Sequence, residues 1–278
     1  MKLATIRTAA GTAAVRLDDR CAVETGYGDV GVLISHPDWQ TIALEANGAR
    51  HDLEGLDFAP VVPNPDKIVC VGLNYRSHII EMGRDLPEYP TLFAKFSDTL
   101  IGAHDSIVIP SATEALDWEA ELAVVIGTPV RHADLATAEA AIAGYCVLND
   151  ITARDWQYRT VEWLQGKNFE STTPLGPYLL TADAFDISTA AIEARVDEDV
   201  VQSAKLSDLV FTPADLVAYL STIFTLRPGD VIATGTPGGV GHARDPRRYL
   251  SPGAVVTTSI TGLGACRNVC RSEHAHAA

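Results

Sequence analysis

Two glutamates stand two residues apart at the start of an apolar run. They are Glu119 and Glu121, in the segment DWEAELAVVIG at 117–127. Successive side chains of a β-strand point to opposite faces, so both carboxylates lie on one face of a strand there. Two like charges this close are costly unless a cation neutralises them, and carboxylate oxygens suit Mg²⁺, Mn²⁺ or Ca²⁺. For this pair alone, an exposed edge strand with hydrated glutamates is the alternative.

A third carboxylate, Asp150, ends the next apolar run, CVLND at 146–150. One predicted helix separates the two runs, and a strand–helix–strand unit brings strand ends together in one region of a sheet. The three carboxylates would then form a site that leaves several positions of an octahedral Mg²⁺ for water and substrate. A metal with open positions indicates Lewis-acid catalysis.

The residues after Asp150 add polar groups suited to a small acid. Arg154 and Gln157 are three apart, share a helix face, and are suited to hold carboxylate or keto oxygens. Lys167 follows Gly166 and is suited to stabilise a developing enolate or oxyanion beside a metal. For each of these side chains, simple surface exposure is the alternative.

A second cluster lies in the segment GLNYRSHIIEMG at 72–83. His78 and Glu81 are three apart, so on a helical turn the glutamate orients the imidazole as a general base for water. An ordinary surface pair is the alternative. Glycines and prolines around 76–90 predict a flap that closes over a site.

The glycine-rich segment ATGTPGGVG at 233–241 follows a predicted strand. It lacks the spacing and lysine of a phosphate loop and the GxGxxG pattern, which argues against nucleotide binding. Its glycines instead favour backbone amides and Thr236 close to a ligand.

Other patterns predict the elements that hold these residues. Apolar runs predict strands over 67–72, 121–127 and 144–150. The Ala-rich stretch 134–145 predicts a helix with Asp134 as N-cap and Gly144 as its stop. The sequence TPAD at 212–215 carries a capping box that opens a helix to about Phe224.

The composition bounds the class of protein. The chain has 278 residues, with 36 acidic and 21 basic side chains and a net charge of −15. A chain this acidic is repelled by nucleic-acid phosphates and anionic membranes. Five scattered cysteines, no secretory signal and no membrane-spanning apolar run predict a soluble cytoplasmic protein. The proline-rich stretch 59–67 predicts a boundary between a small N-terminal α+β cap domain, 1–65, and a catalytic domain, 66–278.

In combination, five segments resemble the fumarylacetoacetate hydrolase (FAH) family, over about residues 66–265. The segments are VGLNYRSH at 71–78, DWEAELAVVIG at 117–127, NDITARDWQ at 149–157, GKNFESTTPLGP at 166–177 and LRPGDVIATGTPGGVG at 226–241. The resemblance implies a strand-rich α+β fold built as a mixed β-sandwich roll, a homodimer, and a divalent cofactor, Mg²⁺ or else Mn²⁺ or Ca²⁺.

The resemblance also implies a role for each candidate residue. The implied metal ligands are Glu119, Glu121 and Asp150; the catalytic residues are His78, Glu81 and Lys167; the substrate contacts are Tyr75, Arg154, Gln157 and Thr236. Where one branch of the family has a further metal-binding Asp, this chain has Asn74, so three protein ligands are expected rather than four.

These residues favour metal-dependent hydrolysis of a C–C bond in a 2,4-dioxo acid, of the acylpyruvate, fumarylpyruvate or diketo-deoxy sugar acid type, giving pyruvate and a carboxylic acid. In this hypothesis His78, oriented by Glu81, deprotonates the attacking water, and Lys167 helps to hold the charge of the pyruvate enolate. Decarboxylation of an oxaloacetate-type acid, or hydration or isomerisation of a 2-oxo acid, is the alternative on the same fold. A non-enzymatic metal-binding or sugar-acid-binding module is disfavoured, because a binder needs no general base.

Overall fold

The structure is a computed structural model that describes residues 1–81, 83 and 85–273, without the side chain of Glu81. Within these residues the chain is rich in strands and has only short helices. The strands, in chain order, are β1 (Lys2–Thr8), β2 (Gly11–Leu17), β3 (Cys21–Glu24), β4 (Arg50–Asp52), β5 (Ile68–Gly72), β6 (Thr91–Lys95), β7 (Leu100–Ile101), β8 (Ile107–Ile109), β9 (Leu116–Asp117), β10 (Ala120–Ile126), β11 (Ile142–Asn149), β12 (Thr152–Ala153), β13 (Thr173–Thr181), β14 (Ala191–Val196), β15 (Asp199–Lys205), β16 (Val231–Ala233), β17 (Val255–Ile260) and β18 (Gly264–Ser272). The α-helices are α1 (Val30–Ile34), α2 (Trp39–Leu44), α3 (Arg76–Glu81), α4 (Leu135–Ala140), α5 (Arg154–Gln157), α6 (Leu164–Lys167) and α7 (Pro213–Ile223). The predicted strand-rich α+β class is confirmed.

Two large sheets and one small one organise the chain. The first sheet has the order β4-β3-β2-β1-β13-β11-β10-β16-β5-β6, and β7 joins it beside β13. The second has the order β15-β14-β17-β18-β8, and β9 pairs with β12. Most neighbours are antiparallel, but the pairs β5–β16, β7–β13 and β8–β18 are parallel, so both large sheets are mixed.

Strands β10 and β11 form the buried centre of the first sheet, and every residue of both is buried. Leu122 and Val124 of β10 belong to the core that reaches the second sheet. Ala123 and Val125, on the other face, belong to the core shared with β1 and α1. Glu121 and Ala123 are two residues apart in β10, so their side chains point to the same face of the first sheet. This face is directed away from the second sheet.

The predicted end of the helix before β11 is wrong. Helix α4 ends at Ala140 and β11 begins at Ile142, so Gly144 lies inside the strand. A Cβ on Gly144 would lie 2.2 Å from the carbonyl oxygen of Leu180 in β13. The glycine therefore permits a close approach of two strand backbones, and it does not terminate a helix.

Both predicted N-caps are confirmed. The side chain of Asp134 accepts a hydrogen bond from the Thr137 amide at the start of α4. Thr212 and Asp215 form a reciprocal capping box at the start of α7, which ends at Ile223. Local side-chain chemistry thus fixes where these two helices begin.

The N-terminal strands continue the first sheet, because Lys2 and Leu3 of β1 pair with Leu180 and Leu179 of β13. The division into domains at residue 65 stays a prediction. No helix within the described part of the chain is long and apolar enough to cross a membrane. The cytoplasmic location also stays a prediction.

Replacing Gly144 by alanine tests the close approach of β11 and β13. We expect Gly144→Ala to lower the free energy of unfolding by about 1–3 kcal/mol, because the methyl group meets backbone that cannot rotate away. Urea denaturation measures the change. Gly28→Ala is the control, since a Cβ at Gly28 meets no atom within 4 Å. Equal stability of the two variants would contradict this account of Gly144.

Candidate metal centre

The carboxylates of Glu119, Glu121 and Asp150, called here the carboxylate triad, lie together at one end of the β10–β11 pair. One oxygen of each lies within 4.8 Å of the others, and all three residues are buried. Antiparallel pairing sets this geometry, since Ala120 at the start of β10 pairs with Asn149 at the end of β11. The side-chain oxygen of Asn149 also accepts the Glu119 amide at 2.9 Å. The predicted proximity of the three carboxylates is confirmed.

Three buried cations surround the triad. Lys167 Nζ lies 2.6 Å from Glu119 Oε2 and 2.7 Å from Asp150 Oδ2. Lys95 Nζ lies 2.8 Å from Asp150 Oδ1, and Arg154 Nη1 lies 2.7 Å from Glu119 Oε1. Burial opposes the charged form of Asp150, but the charges of Lys167 and Lys95 outweigh it and lower the pKa of this carboxyl. Burial likewise opposes the charged form of Lys167, yet Asp150 and Glu119 raise its pKa, so the ammonium stays charged.

Glu121 differs from its two neighbours, because it forms no direct ion pair with any described residue, and the charge of Lys167 lowers its pKa by less than burial and the two carboxylates raise it. Its Oε2 accepts the Gly235 amide at 2.8 Å. Burial, followed by the charges of Asp150 and Glu119, raises the pKa of Glu121. A divalent cation bound by the triad would compensate this charge, and an all-carboxylate set of donors suits a hard ion such as Mg²⁺. The residues present therefore fit the predicted metal.

Arg154 connects the triad to the glycine-rich loop. Its Nη1 donates to Gln157 Oε1 at 2.9 Å, which confirms that these two residues share a helix face. Its Nε lies 2.8 Å from Asp117 Oδ2. Asp117 also accepts the backbone amides of Gly241 and His242, at 2.7 and 3.0 Å. The third nitrogen of the guanidinium, Nη2, is buried and has no hydrogen-bond partner among the residues described.

The glycine-rich loop lies against the triad and against β5. Gly235 adopts a φ of +100°, and a Cβ there would lie 2.9 Å from the Val71 carbonyl oxygen. The side-chain amide of Asn74 donates to the Phe211 and Thr234 carbonyls at 3.0 and 2.8 Å. Asn74 is thus committed to backbone contacts, and a set of three protein ligands stays the prediction.

A cavity of about 490 Å³, called here the triad cavity, contains most of the predicted site residues. Its lining includes Glu119, Glu121, Lys167, Arg154, Gln157, Thr236 and His78. Asp150 is fully buried and contacts Lys167 and Lys95. Phe93 and Trp163 meet edge to face at 5.5 Å and give the cavity an aromatic wall that the sequence analysis missed.

The remaining predicted residues lie on or beside α3. His78 lines the triad cavity and also a second cavity, which Tyr75 lines too. The side chain of Glu81 lies outside the described residues, as do Met82 and Arg84 of the predicted flap. The pairing of His78 with Glu81 and the closing of the flap therefore stay predictions.

Sequence reasoning missed two charged residues of the centre, Lys95 and Asp117. Lys95 is fully buried at the end of β6, 55 residues before the aspartate that it contacts. The only local signal for Lys95 was its position as the last residue of an apolar strand. Asp117 begins a segment that we singled out, but the sequence does not reveal that Arg154 and two loop amides converge on it.

Removal of the Lys95 charge tests its place in the centre. We expect Lys95→Met to lower the free energy of unfolding by about 3 kcal/mol or more, because one oxygen of buried Asp150 loses its cation. Denaturation in EDTA isolates this effect from metal binding. Lys2→Met removes the same charge from an exposed position of β1 and should change stability by less than about 0.5 kcal/mol. A stable Lys95→Met protein would contradict this role.

Glu121→Gln separates metal binding from stability. The amide oxygen still accepts the Gly235 amide, and the neutral side chain avoids the cost of a buried charge, so stability in EDTA should be unchanged or higher. The affinity for Mg²⁺ should fall by more than about 100-fold, since loss of an outer partner alone costs about 10–100-fold. Titration calorimetry measures this, with Glu193→Gln in β14 as the control.

The same calorimetry has an expected pH dependence in the unsubstituted protein. Because the pKa of Glu121 is raised, Mg²⁺ competes with a proton there, and affinity should weaken as the pH falls. An affinity for Mg²⁺ that does not change with pH, or that is unchanged in Glu121→Gln, would show that the metal binds at another site.

The chain matches known proteins over most of its length. The family model described as fumarylacetoacetate (FAA) hydrolase C-terminal matches residues 67–271. The mitochondrial oxaloacetate tautomerase Fahd2a of Rattus norvegicus is 43% identical over 213 residues, covering 76% of this chain and 68% of the relative. The human mitochondrial oxaloacetate tautomerase FAHD2A is 44% identical over 214 residues, with the same coverage of 76% and 68%.

Solved structures agree with the sequence matches. The fumarylacetoacetate hydrolase of the psychrophilic Exiguobacterium antarcticum has a TM-score of 0.88 and 30% identity, covering 98% of this chain and 100% of its own. The 5-carboxymethyl-2-hydroxymuconate delta-isomerase of Mycobacterium smegmatis has a TM-score of 0.82 and 30% identity, covering 98% and 99%. The resemblance seen in the sequence is confirmed, and the chain belongs to the fumarylacetoacetate hydrolase family.

Proposed function

We propose that this chain is a divalent-metal-dependent enzyme that converts a 2-oxo acid through its enolate, with keto–enol tautomerisation of oxaloacetate as the first candidate reaction. The observation that carries the proposal is the charged lining of the triad cavity, where Lys167 and Arg154 contact the carboxylates. A bound divalent cation supplies a Lewis acid for the carboxylate and 2-oxo oxygens of the substrate. The identities to the two oxaloacetate tautomerases support this reaction.

The residues of the cavity divide the work between binding and charge stabilisation. Arg154 Nη2 is a buried donor without a partner in the described chain, and Gln157 lies beside it, so we assign both to the substrate carboxylate. Lys167 stays protonated and places a positive charge where negative charge develops on the 2-oxo oxygen. Arg154 and Lys167 are fixed by ion pairs before substrate binds, so these two side chains need little reorganisation.

His78 is the proton-transfer group in this proposal. Tautomerisation moves one proton between the C3 carbon and the 2-oxo oxygen, in either direction, and breaks no carbon–carbon bond. It therefore needs one acid–base side chain beside the charge-stabilising groups, and His78 lines the same cavity.

Hydrolysis of a 2,4-dioxo acid, predicted from the sequence, is the second candidate. The similarity to the hydrolase structure of Exiguobacterium antarcticum favours it. In this reaction His78 would deprotonate a water that attacks the distal carbonyl, and the C–C bond would break to leave pyruvate enolate. Hydrolysis needs an oriented water in addition to the groups named for tautomerisation. Decarboxylation of oxaloacetate passes through the same enolate.

The homodimer that the family resemblance implies stays a prediction.

Parallel assays with Mg²⁺ and with EDTA distinguish the candidates. The decay of enol oxaloacetate reports tautomerisation, pyruvate from oxaloacetate reports decarboxylation, and pyruvate with acetate from acetylpyruvate reports hydrolysis. We expect metal-dependent loss of the enol as the fastest reaction. If acetylpyruvate were cleaved faster than the enol is lost, hydrolysis would replace tautomerisation as the proposed reaction. If neither substrate were turned over, the proposal would be rejected.

His78→Asn tests the proton-transfer role. We expect kcat to fall by about 10²–10⁴-fold, while the Mg²⁺ affinity is retained because the carboxylate triad is intact. His36→Asn, at an exposed position between α1 and α2, is the matched control and should keep full activity. Full activity of His78→Asn would remove this histidine from the mechanism.

A further inference from the structure

Gln202 is a buried amide that connects the second sheet to two parts of the site. It lies on β15 and is 2% exposed. Its Oε1 accepts the amide of Ala120, the residue between the two glutamates of the carboxylate triad, at 2.9 Å. Its Nε2 donates to Thr236 Oγ1 and to the Pro237 carbonyl, both at 2.8 Å. One side chain therefore links the strand of the triad to the glycine-rich loop.

The backbone partners of Gln202 fix which end of its amide donates. The Ala120 amide can only donate, so the atom that faces it is the side-chain oxygen. The Pro237 carbonyl can only accept, so it takes one of the two N–H groups of Nε2. The other N–H is directed at Thr236 Oγ1. The Thr236 hydroxyl is thus the acceptor in this contact.

This contact leaves the proton of the Thr236 hydroxyl available. A hydroxyl group has one proton to donate and two lone pairs that accept. The Thr236 oxygen uses a lone pair for Gln202, and its own proton has no acceptor among the described residues. Thr236 is half-buried and lines the triad cavity. An acceptor oxygen bound in this cavity can take that proton.

We propose that Gln202 positions the Thr236 hydroxyl as a hydrogen-bond donor to an oxygen of the bound 2-oxo acid. Gln202 is not part of the lining of the triad cavity, so it acts through Thr236. The inference rests on the proposed function, since the acceptor is the 2-oxo acid. It adds a neutral donor to the charged groups of Arg154 and Lys167, and all three are fixed before the substrate binds.

The test is calorimetric binding of pyruvate to the full chain with saturating Mg²⁺. Pyruvate has the carboxylate and the 2-oxo oxygen of the proposed substrates and no further acceptor. Thr236→Val removes the hydroxyl at nearly constant shape, and we expect the affinity to fall by about tenfold or more, as for a hydrogen bond to a charged group.

Gln202→Glu should weaken pyruvate binding at least as much. The oxygen that replaces Nε2 has at most one proton, and the Pro237 carbonyl takes it. The Thr236 hydroxyl must then donate to the glutamate, so its proton is lost to the ligand. The amide of Ala120 keeps its acceptor in this variant.

The double variant shows whether Gln202 acts through Thr236. In the Thr236→Val background, Gln202→Glu has no hydroxyl to capture and adds only the repulsion between its charge and pyruvate. This repulsion acts in both backgrounds, so it cancels in the ratio of the two effects. We expect a ratio of about fivefold or more. A ratio of one, or an unchanged affinity in Thr236→Val, would overturn the inference.

Two further measurements exclude a merely structural role. The Mg²⁺ affinity of Gln202→Glu should not fall, and a fall would assign Gln202 to the strand of the metal ligands instead. Gln40→Glu makes the same change at an exposed position of α2 and should leave pyruvate binding unchanged. If Gln202→Glu does not fold, Gln202→Met removes both N–H donors without adding charge, and the same ratio above one is expected.

Failure of this inference can be told apart from failure of the proposed function. Binding needs no turnover, so coupling between Gln202 and Thr236 in a protein that converts no 2-oxo acid would reject the function and keep the inference. Turnover of oxaloacetate or acetylpyruvate without this coupling would do the reverse. If pyruvate does not bind and no 2-oxo acid is converted, both are rejected.

Discussion

Buried negative charge is the constraint on which this structure depends. Glu119, Glu121 and Asp150 would repel one another strongly in a region shielded from water, so each carboxylate must be compensated by a neighbouring cation or take up a proton. Lys95 and Lys167 are fully buried for this reason, although lysine is seldom buried at all. Among the described residues, direct ion pairs reach Glu119 and Asp150 but not Glu121, and this asymmetry is consistent with a divalent metal site.

The carboxylates and the cations that pair with them come from segments that are distant in sequence. The β10–β11 pair brings the carboxylates together, β6 contributes Lys95, and the short helices α5 and α6 contribute Arg154 and Lys167. Gly166 lets these two helices approach, since a Cβ there would lie 2.5 Å from the Gln157 amide nitrogen. The charged residues are thus fixed by backbone packing, and a site preorganised in this way loses little free energy when charge develops in a substrate.

Sequence reasoning succeeded where one local pattern decides the outcome. The spacing of Glu119 and Glu121 predicted that their carboxylates lie close together, and side-chain capping located the start of α7 at Thr212. It failed where the deciding contact is remote. Gly144 has the sequence context of a helix stop, but its role depends on a carbonyl of β13, and the burial of Lys95 depends on an aspartate in another strand connection. Such contacts exist only after the sheet has formed.

The proposed function combines a charged centre that is fixed by ion pairs with a separate residue, His78, on the wall of the same cavity. Stabilising charge on a 2-oxo oxygen is common to tautomerisation, decarboxylation and C–C hydrolysis, and in the proposed function Lys167 provides it while Arg154 binds the substrate carboxylate. In that proposal the three reactions differ in where a proton or a water is delivered, and this delivery is assigned to His78. Helix α3, which carries His78, is held in part by the Ser77 amide, which donates to Asp208 Oδ2. In the proposed function, a change of reaction therefore requires a change at His78 and its surroundings, while the centre that stabilises charge stays the same.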